Sequence, residues 1–193
     1  MDEAISDARG DAAAAPPGGA RIGVISDTHG FLDPAVVALF AGVDAIIHAG
    51  DVGDPAIVAA LRVVAPVTAV SGNVEGDGTA GLPREVTGEV GGVRFVVGHK
   101  PKRLLKRVAA GRVTVGPDNA HPDLVVFGHT HVPSASWVDG TLYLNPGTAS
   151  TPDEEDDGPT VALVERAGAG LAVRFVPLAR RLAEDGSPLV TRH

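Results

Sequence analysis

The sequence predicts an α/β fold in which two β-sheets pack face to face with helices outside, on three observations. Its first half alternates short apolar runs with helical stretches, and its second half is almost entirely strand-like. Metal-ligand residue types also gather just past five of the strands.

The elements follow in order. Residues 1–20, rich in Ala, Gly, Pro and acids, read as a disordered extension, so the fold is expected to begin at Arg21. The start Met1-Asp2-Glu3 has neither the basic nor the apolar region of a signal peptide. Ile22 to Ile25 is a short apolar run that stops at Ser26-Asp27, the pattern of a buried strand feeding a loop. Pro34 opens a helix with Val36, Val37, Leu39 and Phe40 as its apolar positions. Ala45 to His48 gives a second buried strand, Pro55 opens a helix carrying Ile57, Val58 and Leu61, and Val67 to Val70 gives a third strand.

Beyond it, Arg84 to Val90, Val93 to Val97, Leu124 to Phe127, Ala135 to Val138 and Thr141 to Leu144 read as strands, with one helix at Leu104 to Ala110. Val161 to Glu165 and Leu171 to Val176 flank Gly168-Ala169-Gly170, a hairpin turn. One domain is expected over 21–180, followed by a flexible tail at 181–193.

Composition narrows the function. The chain has 193 residues, 44% of them hydrophobic and 21% charged, which suits one globular domain. Aromatics make up only 4%, so Val, Leu, Ile and Ala must build the core. The absence of Cys removes disulfides, thiolate metal sites and cysteine nucleophiles, and it is compatible with a cytoplasmic location. A net charge of −8 argues against general nucleic-acid binding, which depends on Lys and Arg neutralising phosphates. The run Asp153 to Asp157 supplies five negative charges and reads as a solvated loop. No apolar run reaches the roughly 18 residues needed to span a membrane, so no membrane partner is expected.

The chemistry sits past the strand ends: Asp27-Thr28-His29, Gly50-Asp51, Gly72-Asn73, Gly98-His99 and Gly128-His129-Thr130-His131. In open α/β sheets ligands bind at the carboxyl ends of strands, so these five loops are expected to converge on one crevice. Taken singly, Asp27 reads as a cap, Asp51 and Asn73 as turn residues, and His99 as a strand-end histidine. As an ordered set they point to metal. Carboxylate, imidazole and carboxamide oxygen suit Mn²⁺, Fe²⁺, Zn²⁺, Ni²⁺ or Co²⁺. Two such ions about 3.5–4 Å apart perform hydrolytic phosphoryl chemistry.

At these residues, and at Asn145-Pro146-Gly147-Thr148, the chain resembles the calcineurin-like metallophosphoesterase superfamily over about Arg21 to Pro177. It is most similar to the small YfcE-like and archaeal phosphodiesterase branch, which also includes Vps29-like scaffolds. The resemblance implies a four-layer αββα sandwich of two mixed sheets flanked by helices. It further implies Asp27, His29, Asp51 and His131 around one divalent metal, with Asp51 bridging and Asn73, His99 and His129 completing a second site. Asp51, Asn73 and His129 would then be the catalytic residues, acting through a hydroxide held between the metals. Mn²⁺ is the leading expectation, with Ni, Fe, Zn, Co or Mg as alternatives, and a small phosphoester is the expected substrate.

Two departures from the family pattern stand out. Where small members read His-Gly-His, this chain has His99-Lys100-Pro101, which makes Lys100 a candidate substrate contact. With Lys102, Arg103, Lys106 and Arg107 it otherwise reads as a solvated basic helix face. At Asn73-Val74-Glu75 there is no histidine to assist the leaving group, and Glu75 takes the place of the branch's acid. No proton donor is named by the sequence. His48 reads as a packed histidine behind the site, His121 as a loop residue and His193 as a terminal one, while Trp137 and Tyr143 read as packing for the second sheet. A non-catalytic scaffold and a metal hydrolase of carboxylic esters or lactams are the competing readings.

Overall fold

The computed structural model describes residues 19–75, 81–150 and 158–179. The acidic run 153–157, the tail at 181–193 and most of the expected N-terminal extension lie outside the described residues.

Among the described residues there are ten strands, which build two mixed five-stranded sheets, and three helices. In the first, β1 (Arg21–Ile25), β2 (Ala45–His48) and β3 (Val67–Ala69) run parallel. The crossovers between them are α1 (Pro34–Leu39) and α2 (Pro55–Val64). The late hairpin β9 (Thr160–Ala167) and β10 (Gly170–Pro177) adds to β1 antiparallel. The second sheet has the order β4 (Glu85–Val90), β5 (Val93–Gly98), β6 (Leu124–Val126), β8 (Thr141–Asn145), β7 (Ser134–Val138). Its central strands β5, β6 and β8 are parallel.

Alternation of side chains along the strands sorts the core into three layers. Ile22, Val24 and Ile47 from the first sheet meet Phe95, Val97, Leu124, Val126 and Leu144 from the second. The opposite face of the first sheet, with Ile46 and Leu163, packs on Val36, Phe40, Ile57 and Leu61. Val96 and Val125 face outward from the second sheet onto Leu104 and Val108 of α3 (Pro101–Ala109). The result is the expected four layers, helix, sheet, sheet, helix. Both helices of the first half start at a proline behind an Asp cap, Asp33 for α1 and Asp54 for α2, whose side chains accept backbone N–H groups. Among the described residues no helix is long and apolar enough to cross a membrane.

Three expectations are corrected. Ala20 belongs to the fold: it is buried in the inter-sheet core, and its carbonyl accepts from Arg166 N–H. The third helix begins at Pro101 and not at Leu104, because Pro fits the first helical position and breaks nothing there. Trp137 does not pack the second sheet; it is 51% exposed on the edge strand β7, all of which lies outside the layered core. Tyr143, by contrast, does pack, against the α3 layer.

Candidate metal centre

The parallel strands β1, β2, β3, β5 and β6 deliver the five candidate loops to one edge of the two sheets. Backbone hydrogen bonds prolong the strand pairing into those loops. Asp27 N–H donates to Gly50 O at 3.0 Å, His29 N–H to Asp51 O at 2.9 Å, and Gly128 N–H to His99 O at 3.1 Å. The loops are therefore fixed to one another before any side chain is considered.

Their backbone is also unusual. Asp27, His29, Asp51, His129 and His131 all have positive φ, between 45° and 74°. Among the described non-glycine residues only Asn119 and Asp139 share that conformation. Non-glycine residues adopt it at a cost of about 1–3 kcal/mol each where the surrounding structure holds them there, and such residues cluster at functional sites.

The two carboxylates are held in the same way. Asp27 Oδ2 accepts the backbone N–H of His129 at 3.2 Å, leaving Oδ1, which is buried and receives no hydrogen bond. That Oδ1 lies 3.3 Å from His131 Nε2 and 3.9 Å from His29 Nε2. Asp51 Oδ1 accepts from the N–H groups of Asn73 and Val74, the latter at 3.0 Å. Its Oδ2 faces His99 Nε2 at 3.3 Å and His29 Nε2 at 3.9 Å. His29 Nε2 and His131 Nε2 are themselves 3.3 Å apart.

Donor atoms around one ion at metal–ligand distances of about 2.0–2.2 Å are separated by roughly 3.0–3.5 Å, so this spacing fits a cation. Among the described residues two such groups form, Asp27 with His29 and His131, and Asp27 with Asp51 and His99.

The ring of His99 is oriented by its other nitrogen, as Nδ1 lies 2.9 Å from Ala49 O. An Nδ1–H there leaves Nε2 to face Asp51, the usual arrangement behind a metal-ligating imidazole. Burial opposes charge on both partners. The Asp51 and Asp27 carboxylates nevertheless raise His99 above its ordinary pKa. In turn, despite burial, His99, the Val74 N–H and His29 hold Asp51 well below the usual carboxylate range. The pair favours the ionised carboxylate that metal binding requires.

Asn73 and His129 are exposed at the open side, with Asn73 Nδ2 and His129 Nδ1 3.0 Å apart. The His129 ring meets that of His99 edge-on, with centroids 5.2 Å apart. All seven expected residues are thus gathered, five of them within the two compact groups. Lys100 stands beside His99 as the cap residue of α3. His48 is fully buried behind the loops, as expected. His121 lies away from the centre, against Thr141 Oγ1.

Sequence reasoning missed the braces. Glu75 is buried and accepts Gly53 N–H at 2.8 Å and Gly72 N–H at 2.7 Å, tying the β2 and β3 loops together. It therefore clamps loops where the family's acid would stand. Asn145 donates to Gly128 O and Thr130 Oγ1, and Thr148 Oγ1 donates to Asp27 O, so the Asn-Pro-Gly-Thr turn supports the loops bearing Asp27, His129 and His131. Gly72 and Gly128 permit close approach: a methyl on either would collide with the carboxylate of Asp51 or Asp27. The sequence marked Asn145-Pro146-Gly147-Thr148 and Glu75 only by resemblance to the family pattern, and it gave no sign of the backbone groups they hold.

Comparison with known proteins agrees with this geometry. The family model for the calcineurin-like phosphoesterase superfamily domain matches residues 21–168. A probable metallophosphoesterase of Methanocaldococcus jannaschii is 36% identical over 142 residues, covering 68% of this chain and 69% of its own length. Another, from Methanothermobacter thermautotrophicus, is 30% identical over 163 residues, covering 80% and 91%.

Among solved structures, a predicted phosphoesterase of Streptococcus pneumoniae superposes with a TM-score of 0.63 at 25% identity, covering 89% of this chain and 93% of that one. Chaetomium thermophilum Vps29 gives 0.64 at 21%, covering 89% and 93%. An archaeal phosphodiesterase gives 0.63 at 21%, covering 81% and 99%.

Proposed function

Because the chain belongs to the calcineurin-like phosphoesterase superfamily, we propose that it is a metal-dependent phosphodiesterase acting on a small phosphoester. Asp27, His29, Asp51 and His131 would hold one divalent cation, and Asp51, Asn73, His99 and His129 a second. The observation that carries this reading is the pair of half-pinned carboxylates. Each has one oxygen fixed by a backbone N–H from a neighbouring loop and the other presented to imidazole Nε2 atoms. Asp51 Oδ2 faces both His29 and His99, which supports its role as the shared ligand.

A pair of divalent cations supplies, when bound, activation of a water nucleophile and neutralisation of charge growing on the phosphoryl oxygens. The protein's part is to hold the ligands with their backbone already in place, so little reorganisation accompanies the reaction. Exposed Asn73 and His129 flank the open side, where a phosphoryl group would enter and be oriented. Oxygen and nitrogen donors without thiolate favour Mn²⁺, with Ni, Fe, Zn, Co or Mg as alternatives, in a cytoplasmic setting.

The test is turnover of bis(p-nitrophenyl) phosphate by metal-stripped protein reloaded with each ion, beside a p-nitrophenyl carboxylic ester. Diester hydrolysis that needs added metal is expected, and Asp51→Ala should lower kcat/KM by at least about a hundredfold. Equal rates for wild type and variant would sink the assignment. Preference for the carboxylic ester would move it to another hydrolase class. The fold shared with Vps29 gives a second reading, a non-catalytic scaffold. A stoichiometric partner in a pull-down, together with no turnover under any ion, would favour it over the enzyme.

A further inference from the structure

A cleft of about 330 Å³ opens beside the candidate centre, and its lining carries charge opposite to that of the protein. The chain has a net charge of −8, yet among the described residues Arg84, Lys100, Arg103 and Arg107 line this cleft with Glu85 as the one carboxylate there. Glu85 is engaged by Arg107 at 2.5 Å. Among the described residues Lys100 and Arg103 make no ion pair. The cleft is continuous with the centre, because Asn73 and His99 belong to its lining as well.

The helix explains the arrangement. Arg103 and Arg107, four residues apart, share one face of α3, and Lys100 caps the helix at the same cleft, while Lys102 and Lys106 lie outside the lining. The basic stretch is therefore divided: Lys100, the candidate substrate contact, lines the cleft with Arg103 and Arg107, and Lys102 and Lys106 keep to the solvated face. Arginine's planar fork pairs with phosphate oxygens bidentately, and the volume suits a nucleotide-sized group.

Resting on the phosphodiesterase reading, the geometry points to a subsite for a second phosphate. The cleft takes the non-reacting half of a substrate that carries a phosphate group in addition to the scissile phosphoester. Lys100 and Arg103 are its principal contacts, and Arg84 and Arg107 add to the field.

The test compares thymidylyl-thymidine with the same diester bearing a terminal 5′-phosphate. It reads kcat/KM with Mn²⁺-loaded enzyme, and Kd by calorimetric titration of metal-free protein. Wild type should favour the phosphorylated diester by about tenfold or more in both measurements, the scale of one charge-assisted contact. Arg103→Ala should bring that preference to within about twofold of unity, and Lys102→Ala, on the same helix but outside the cleft, should keep it. Reading a ratio cancels any general loss of activity. No preference in wild type, or one that survives in Arg103→Ala, overturns the subsite and leaves the phosphodiesterase reading intact. Failure to cleave either diester with any ion overturns the phosphodiesterase reading instead, and the metal-free titration still decides whether the cleft selects the second phosphate.

Discussion

His48 holds two loops from a fully buried position. Its Nδ1 accepts Gly50 N–H at 3.2 Å, and its Nε2 lies 3.0 Å from Thr28 Oγ1, which donates in turn to Val52 O. This network needs the neutral ring, and burial lowers the histidine's pKa from 6.5 to about 4 despite the nearby Asp27 and Asp51 carboxylates. The sign follows from proton binding. Between pH 6.5 and 4 the unfolded chain takes up a proton at this residue and the native chain does not, so native stability falls as pH falls through that window. The loss is roughly 3 kcal/mol once pH 4 is reached. His48→Gln, whose amide can supply the same donor and acceptor, should remove that part of the acid sensitivity. Urea unfolding in EDTA at pH 7 and pH 4.5 measures it, and parallel losses in wild type and variant would refute the role. At this scale the candidate ligands were legible in the sequence because their residue types recur after strands. His48's hydrogen bonds were not, since a contact to a backbone N–H leaves no mark on composition.

The loops and helices were legible in their order and less so at their ends. Strand runs of Val, Ile and Leu announced themselves by apolar patterning, and element boundaries moved by one to three residues. The start of α3 was hidden because Lys100-Pro101 was read as a departure from the family motif and not as a helix entry. Glu75 shows the deeper limit. Its role depends on bringing Gly53 within 2.8 Å from 22 residues away, which local sequence cannot show. A clamp and a proton donor make different predictions. Glu75→Gln keeps one acceptor oxygen for two amides, so one N–H loses its partner at a cost of about 1–3 kcal/mol. The expected result is a 10–100-fold weaker metal affinity with kcat largely restored at saturating metal. A proton donor would instead show a reduced kcat at saturating metal and unchanged affinity. Metal titration beside steady-state kinetics separates the two.

At the scale of the molecule, the centre joins the two sheets. Asp27, His29, Asp51 and Asn73 follow strands of the first sheet, and His99, His129 and His131 follow strands of the second. The inter-sheet core of Ile22, Val24, Leu124 and Leu144 aligns these edges, and the His129 N–H donated to Asp27 Oδ2 ties one edge to the other. A cation that binds only this assembled arrangement stabilises the native state by mass action, by about 2.7 kcal/mol at a hundred times its Kd. For a chain of this size that is a rise in Tm of about 5–10 °C per saturated site. Mn²⁺ added to metal-stripped protein should therefore raise Tm in calorimetry and EDTA should reverse the rise. Asp51→Ala should lose most of it, because its carboxylate faces imidazoles contributed by both sheets, His29 from the first and His99 from the second. Removing Leu144 as Leu144→Ala should lower Tm with and without metal alike, since a core cavity costs about 2–5 kcal/mol whatever the edge binds. If Mn²⁺ raised Tm equally in wild type and Asp51→Ala, the ion would be binding elsewhere, and the two-sheet centre would lose its physical basis.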